Sequence, residues 1–139
     1  MTFDLRRITA ADVSVFDRIA DGVFDEPIDP PRLARYLRES GHLMILAVDG
    51  DVVVGQCAAV VHRHPDKVTE LYVDELGTAD GYRRQGIARA LMNAMFEWGR
   101  ELGCEEAWLG TETDNVEANG LYRSLGVEPV LMNYYEFEL

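Results

Sequence analysis

The chain has 139 residues, 47% of them hydrophobic, and 13 Lys and Arg against 25 Asp and Glu give a formal net charge of -12. That length buries one sizeable core and is too short for two ordinary domains, so a single domain over residues 1–139 is expected. The acidic balance argues against a nucleic-acid surface and is compatible with a cationic substrate.

Phe3 to Ile8 alternates like a first strand, Asp12 can cap a helix running to about Phe24, and Pro30-Pro31 opens a second helix to about Ser40. Leu43 to Val48 and Val52 to His62 read as an antiparallel pair. Between them lies Asp49-Gly50, a dipeptide whose two positions can both take positive φ in a tight hairpin turn. Val68 to Thr78 is the next strand. A helix from Ile87 to about Leu102 carries Ile87, Ala88, Leu91, Met92, Met95 and Phe96 on one stripe, which helical spacing assigns to the core, and Gly103 stops it. Ala107 to Thr111 is strand-like. A last helix begins near Asn115, with Asp114 or Asn115 itself as N-cap, Glu117 three residues after Asp114 and Gly126 past its end. From Val127 to Leu139 only Pro129 and Asn133 interrupt, so the final strands are expected to be short, merged or completed by another subunit. No low-complexity linker or internal repeat divides the chain. Cys57 and Cys104 suggest no disulfide framework, and without a leader or long apolar span the protein is expected to be cytoplasmic and free of the membrane.

The stretch Arg83-Arg84-Gln85-Gly86-Ile87-Ala88 carries the chemistry. It ends a strand-like run and opens a long helix, placing backbone N–H groups at the helix's positive end. Gly86 permits close approach, and Arg83, Arg84 and Arg89 add charge: a phosphate cradle for a nucleotide-bearing cofactor. No Lys-Ser or Lys-Thr follows the glycine as in an NTPase loop, and there is no triple-glycine dinucleotide fingerprint.

The cradle's pattern, Arg/Gln-x-x-Gly-x-Gly/Ala, resembles that of the GNAT superfamily of acyl-CoA-dependent N-acetyltransferases. About thirty residues downstream, Asn115-x-x-Ala118-x-x-Leu121-Tyr122-x-x-x-Gly126 matches a second GNAT signature, with Val127 where the family has an aromatic. The resemblance implies an α/β fold with a central, mostly antiparallel sheet and helices on both faces, with acetyl-CoA as cofactor. By the same resemblance Arg83, Arg84, Gln85, Gly86, Ile87, Ala88, Arg89 and Asn115 bind CoA. Leu76, Gly77 and Thr78 present backbone groups to the pantetheine arm, and the N–H near Leu76 polarises the thioester carbonyl. Tyr122 becomes the acid that protonates the thiolate, a role suited to a phenol with pKa near 10.

An alkyl ammonium must lose its proton before it attacks, which at pH 7 costs about 4 to 5 kcal/mol. Glu75 is the preferred base, with Asp74 or a water as alternatives and Glu70 further away. Alternation along a strand forbids Asp74 and Glu75 from sharing one cleft unless the strand bulges. The acceptor rim expected between the first two helices holds Asp21, Asp25, Glu26 and Asp29, and Tyr72 is a further substrate-side candidate. The layout from Tyr72 through the cradle to Met132-Asn-Tyr-Tyr-Glu-Phe is similar to the aminoglycoside 3-N-acetyltransferase branch. His62 and His64 have no evident third ligand, so no metal is predicted. Cys104 lacks a nearby His in sequence and is expected to pack rather than react. Three readings follow: direct acetyl transfer to a small polycationic amine, with the protein a homodimer; acetylation of lysine or N-terminal amines of proteins; and a non-catalytic acyl-CoA sensor.

Overall fold

Alternating and β-branched segments build a sheet in the computed structural model, which describes residues 2–139. β1 (Asp4–Arg7), β2 (His42–Asp49), β3 (Val52–His62), β4 (Glu70–Thr78) and β5 (Glu106–Trp108) lie in the order β1-β2-β3-β4-β5. Neighbours are antiparallel except for the parallel β4–β5 pair. Helices are α1 (Pro30–Arg38), α2 (Ile87–Glu101) and α3 (Val116–Ser124), with a 3-10 helix at Ala10–Asp17. The mixed α/β class with a mostly antiparallel sheet is thus as expected.

The chain divides into two compact units, Met1–Leu109 and Gly110–Leu139. In the first, β2 from Leu43 to Val48 and β3 from Val53 to Ala59 are buried without interruption, so both faces of the central strands are covered. α2 inserts Ile87, Leu91, Met92 and Met95 into this core. Two glycines set how closely it docks: a Cβ on Gly55 would stand 2.8 Å from Ile87 Cγ2, and one on Gly99 2.9 Å from Leu71 Cδ2. Arg7 adds an edge clamp, its guanidinium donating to Glu101 Oε1 at 2.9 Å and lying 4.9 Å from the Trp98 ring centroid.

Several local expectations are corrected. The helix expected from Asp12 to Phe24 is a 3-10 helix capped by Thr9, with Asp12 accepting from the Thr9 N–H at 2.7 Å to close a capping box. It ends early because the next backbone is diverted to β3: Val53 N–H donates to Arg18 O at 2.8 Å and Ala20 N–H to Val53 O at 2.9 Å. The β2–β3 turn is shifted by one residue. Asp49 pairs with Val52, so Gly50 and Asp51 form the loop and only Gly50, at φ 64, takes positive φ.

In the second unit α3 is capped by Asn115 rather than Asp114, the Asn115 side chain accepting from Ala118 N–H at 3.1 Å. Gly126 follows the helix at φ 98, in the left-handed region that suits glycine. Among the described residues no strand forms from 127 to 139, where Val130, Leu131, Met132, Tyr135 and Phe137 are exposed. A strand persists only where a neighbour completes its ladder, and alternation in sequence supplies none.

Candidate active site

The cradle opens α2. Gly86 is its N-cap at φ 81, no side chain among the described residues caps it, and no acidic side chain enters the first turn. The helix's leading N–H groups are therefore left to a ligand or solvent. A Cβ built on Gly86 would meet nothing within 4 Å, so the space beside it is open. Arg84, at φ 63, holds a conformation that costs a non-glycine residue on the order of 1 kcal/mol. The preceding turn is fixed at two points: Tyr82 Oη donates to Asp49 Oδ2 at 2.7 Å, and Ala79 N–H donates to Val54 O at 2.8 Å. Arg83 reaches Asp80 Oδ1 at 3.3 Å. Glycine backbone, exposed helix amides and arginines form a donor set that fits a pyrophosphate.

Upstream, β4 bulges at the carboxylates. Ala58 pairs with Glu75 and Ala59 with Val73, leaving Asp74 as the inserted residue. The condition for Asp74 and Glu75 to serve one cleft is therefore met in the fold. Their shared environment shows in the electrostatics. Tyr36, on α1, has its phenol pKa raised first by burial and then by the charges of both Asp74 and Glu75. Burial also raises the carboxyl pKa of Asp74 against the opposing effect of its backbone hydrogen bond and His42. Desolvation is again the main cause of the rise at Glu75, followed by repulsion from Asp74 and Asp25. Both carboxyls keep contact with solvent while partly desolvated, a setting that makes a carboxylate a stronger base. Cys57 on β3, paired with Leu76, is buried, and burial together with the charge of Asp74 pushes its thiol up to about 12, so it stays protonated and inert.

The other candidates separate. Leu76, Gly77 and Thr78 pair with Cys57, Gln56 and Gly55. A Cβ on Gly77 would fall 2.2 Å from Val23 O, so the chain after the 3-10 helix crosses directly against β4. Asp25 and Glu26 are exposed, whereas Asp29 is committed to capping α1 by accepting from Arg32 N–H at 3.1 Å. Tyr72 stacks on Trp108 with ring centroids 4.2 Å apart. Glu70, roughly 16 Å along the strand from Glu75, lies 2.7 Å from His64 instead. Tyr122 and Asn115 belong to the second unit, where Ala118, Leu121 and Tyr122 on α3 and Leu125 at its C-cap are all half-buried. Tyr36 and Cys57 were missed by sequence reasoning. Tyr36 had one usable signal, as an aromatic on the second of the two helices that flank the expected acceptor rim.

Comparison with known proteins defines the chain's family. Residues 11–127 match the family described as "Acetyltransferase (GNAT) family". Human N-acetyltransferase 8B is 31% identical over 101 residues, covering 72% of this chain and 44% of that protein, so the chain spans less than half of that relative's length. Aminoglycoside N(6')-acetyltransferase type 1 of Stenotrophomonas maltophilia is 28% identical over 131 residues, covering 89% of this chain and 85% of the relative. Among solved structures, AAC(6')-Iy in complex with the bisubstrate analogue CoA-S-monomethyl-acetylneamine superposes with a TM-score of 0.79 at 18% identity, covering 100% of both chains, which shows a common fold. The chain belongs to the GNAT acetyltransferase family. The aminoglycoside likeness recurs in a relative named for the 6′ nitrogen, where the residues suggested the 3-N branch.

Proposed function

We propose that the protein transfers an acetyl group from acetyl-CoA to a primary amine of a small polycationic molecule, directly and within a ternary complex. The observation that carries this reading is the β4 bulge. It sets two partly desolvated carboxylates one strand-end ahead of an uncapped, arginine-flanked helix N-terminus, in a chain of the GNAT family. Bound acetyl-CoA would supply an activated thioester. Gly86 and the first amides of α2 would hold its pyrophosphate with Arg83, Arg84, Gln85 and Arg89, supported by Ile87 and Ala88. Backbone groups of Leu76, Gly77 and Thr78 would align the pantetheine arm, and Asn115 is a further candidate for cofactor binding.

Glu75 takes the proton from the acceptor amine, with Asp74 or a relayed water as the competing route. Tyr122 returns a proton to the leaving sulfur. Asp25 and Glu26 attract the cationic acceptor, with Asp29 held to its helix cap and Tyr72 bordering the site. Positioning supplies much of the remaining rate, since holding reactants in contact is worth about 7 to 11 kcal/mol. Both units act as one acetyltransferase domain, as the match across residues 11–127 supports. The protein works in the cytoplasm; among the described residues no helix is long and apolar enough to cross a membrane. It assembles as a homodimer, supported by the exposed apolar side chains after Val127. A monomeric mass in light scattering of the full chain would remove that last element.

The deciding experiment measures thiol release from acetyl-CoA against aminoglycosides, polyamines and lysine-containing peptides, with CoA binding followed by calorimetry. Turnover with the polycationic small molecules is expected. Turnover with peptides alone would replace the acceptor class, and CoA binding without any turnover would favour a sensor. Failure to bind CoA would overturn the cradle assignment.

A further inference from the structure

The β3–β4 hairpin ends, away from the cradle, in a cluster that the acetyl-transfer chemistry does not use. His62 is the last residue of β3 and Glu70 the first of β4, and the two are direct cross-strand partners. The connection between them folds His64 back over the pair: its ring lies 4.1 Å from that of His62, centroid to centroid, at 39°. His64 Nε2 stands 2.7 Å from Glu70 Oε1, and His62 Nδ1 stands 4.0 Å from the same oxygen. One donor atom from each of the three residues lies within 4.8 Å of the others. The third ligand that the His62-x-His64 spacing lacks in sequence is thus delivered by strand pairing.

We propose that His62, His64 and Glu70 form a binding site for a single borderline divalent transition-metal ion, such as Zn2+ or Ni2+. Two imidazoles and one carboxylate are a donor set such ions favour, whereas Mg2+ and Ca2+ demand more oxygens. Metal–ligand bonds of about 2.0 to 2.2 Å in a tetrahedron place donors roughly 3.3 Å apart, so donors that already lie within 4.8 Å of one another need only modest shifts to surround an ion. The ion would replace the direct His64–Glu70 contact. His64 and Glu70 are half-buried while His62 is exposed, which leaves an entry path and a fourth position for water. Because the ligands come from two strands and their connection, the ion would clamp the mouth of the hairpin whose β4 carries Asp74 and Glu75.

The test is calorimetric titration of the tag-free full chain with NiCl2, and separately ZnCl2, alongside thermal unfolding. Binding near one ion per chain with a rise in Tm is expected. The His62→Ala/His64→Ala double variant should lose binding by at least tenfold, while His42→Ala, which removes the chain's remaining histidine, should keep it. Glu70→Gln should weaken the site and Glu70→His, which preserves a donor, should restore it, so a loss through misfolding is separable from the loss of a ligand. Tenfold excess CaCl2 should not compete with nickel. No binding at millimolar nickel or zinc, binding unaltered in the double histidine variant, or displacement by calcium would each overturn the proposal.

Discussion

At the residue scale, the proposed chemistry gives Gly86 and Tyr122 separable tasks. Open space beside Gly86 means that a substitution there meets no neighbouring side chain, so its effect falls on backbone conformation and on the ligand. Gly86→Glu is expected to abolish CoA binding, by adding bulk and negative charge where a pyrophosphate would lie. Tyr122→Phe is expected to lower kcat at least tenfold with CoA affinity within about twofold. Calorimetry for binding and single-turnover kinetics check the division, and equal losses of binding would undo it.

As the proposed base, Glu75 would link activity to stability. Its folded-state pKa is raised, so the folded protein binds the proton more tightly than the unfolded chain does. The favourable contribution is fully present below the unfolded carboxylate range and is lost as pH rises through the folded value. Glu75→Gln should therefore raise Tm at pH 7, with the gain vanishing near pH 4, and should remove the acid limb of the kcat/KM profile. An unaltered limb would hand the proton to Asp74 or water.

At the element scale, the close approach of α2 to β3 decides where the cradle stands. Gly55 lies beneath Ile87, the first helical residue, and a Cβ there would also crowd Leu91 Cδ1 at 3.2 Å and Gly77 O at 3.3 Å. Gly55→Ala is expected to cost roughly 1 to 3 kcal/mol of stability and to weaken CoA binding together, because relief requires α2 to move at its N-terminus. Gly77→Ala should cost more, since the obstacle is the backbone carbonyl of Val23 rather than a side chain that can turn aside. Denaturant unfolding with parallel CoA titration separates this coupled loss from the ligand-only loss expected at Gly86.

For the whole molecule, a net charge of -12 sets a field that attracts polycations and repels free carboxylates and phosphates. The proposed cofactor is itself anionic, and the arginines Arg83, Arg84 and Arg89 would reverse the field locally to receive it. Raising ionic strength from about 0.05 to 0.5 M should lower kcat/KM for a polycationic amine several-fold, through KM more than kcat, as the Debye length shrinks. A neutral monoamine with the same kcat/KM response would argue against electrostatic capture by Asp25 and Glu26.

Much of this protein was legible in its residues because the informative patterns are local. The apolar stripe of α2, the extended run from Val52 to His62, the Pro-initiated α1 and the start of α2 at Gly86 depend on chemistry within a turn or two of chain, and all appear where the sequence placed them. The exceptions depend on partners distant in sequence. β3 took the backbone of Arg18 and Ala20 and cut short the helix expected to reach Phe24; the residues after Val127, alternating as they are, remained without a strand neighbour. Whether Asp74 and Glu75 could share a cleft, that Tyr36 and Cys57 lie within reach of their charge, and that Glu70 joins His62 and His64 were decided by strand register. Register is set by burial across the whole sheet, and one inserted residue in β4 alters it in a way that no local pattern encodes.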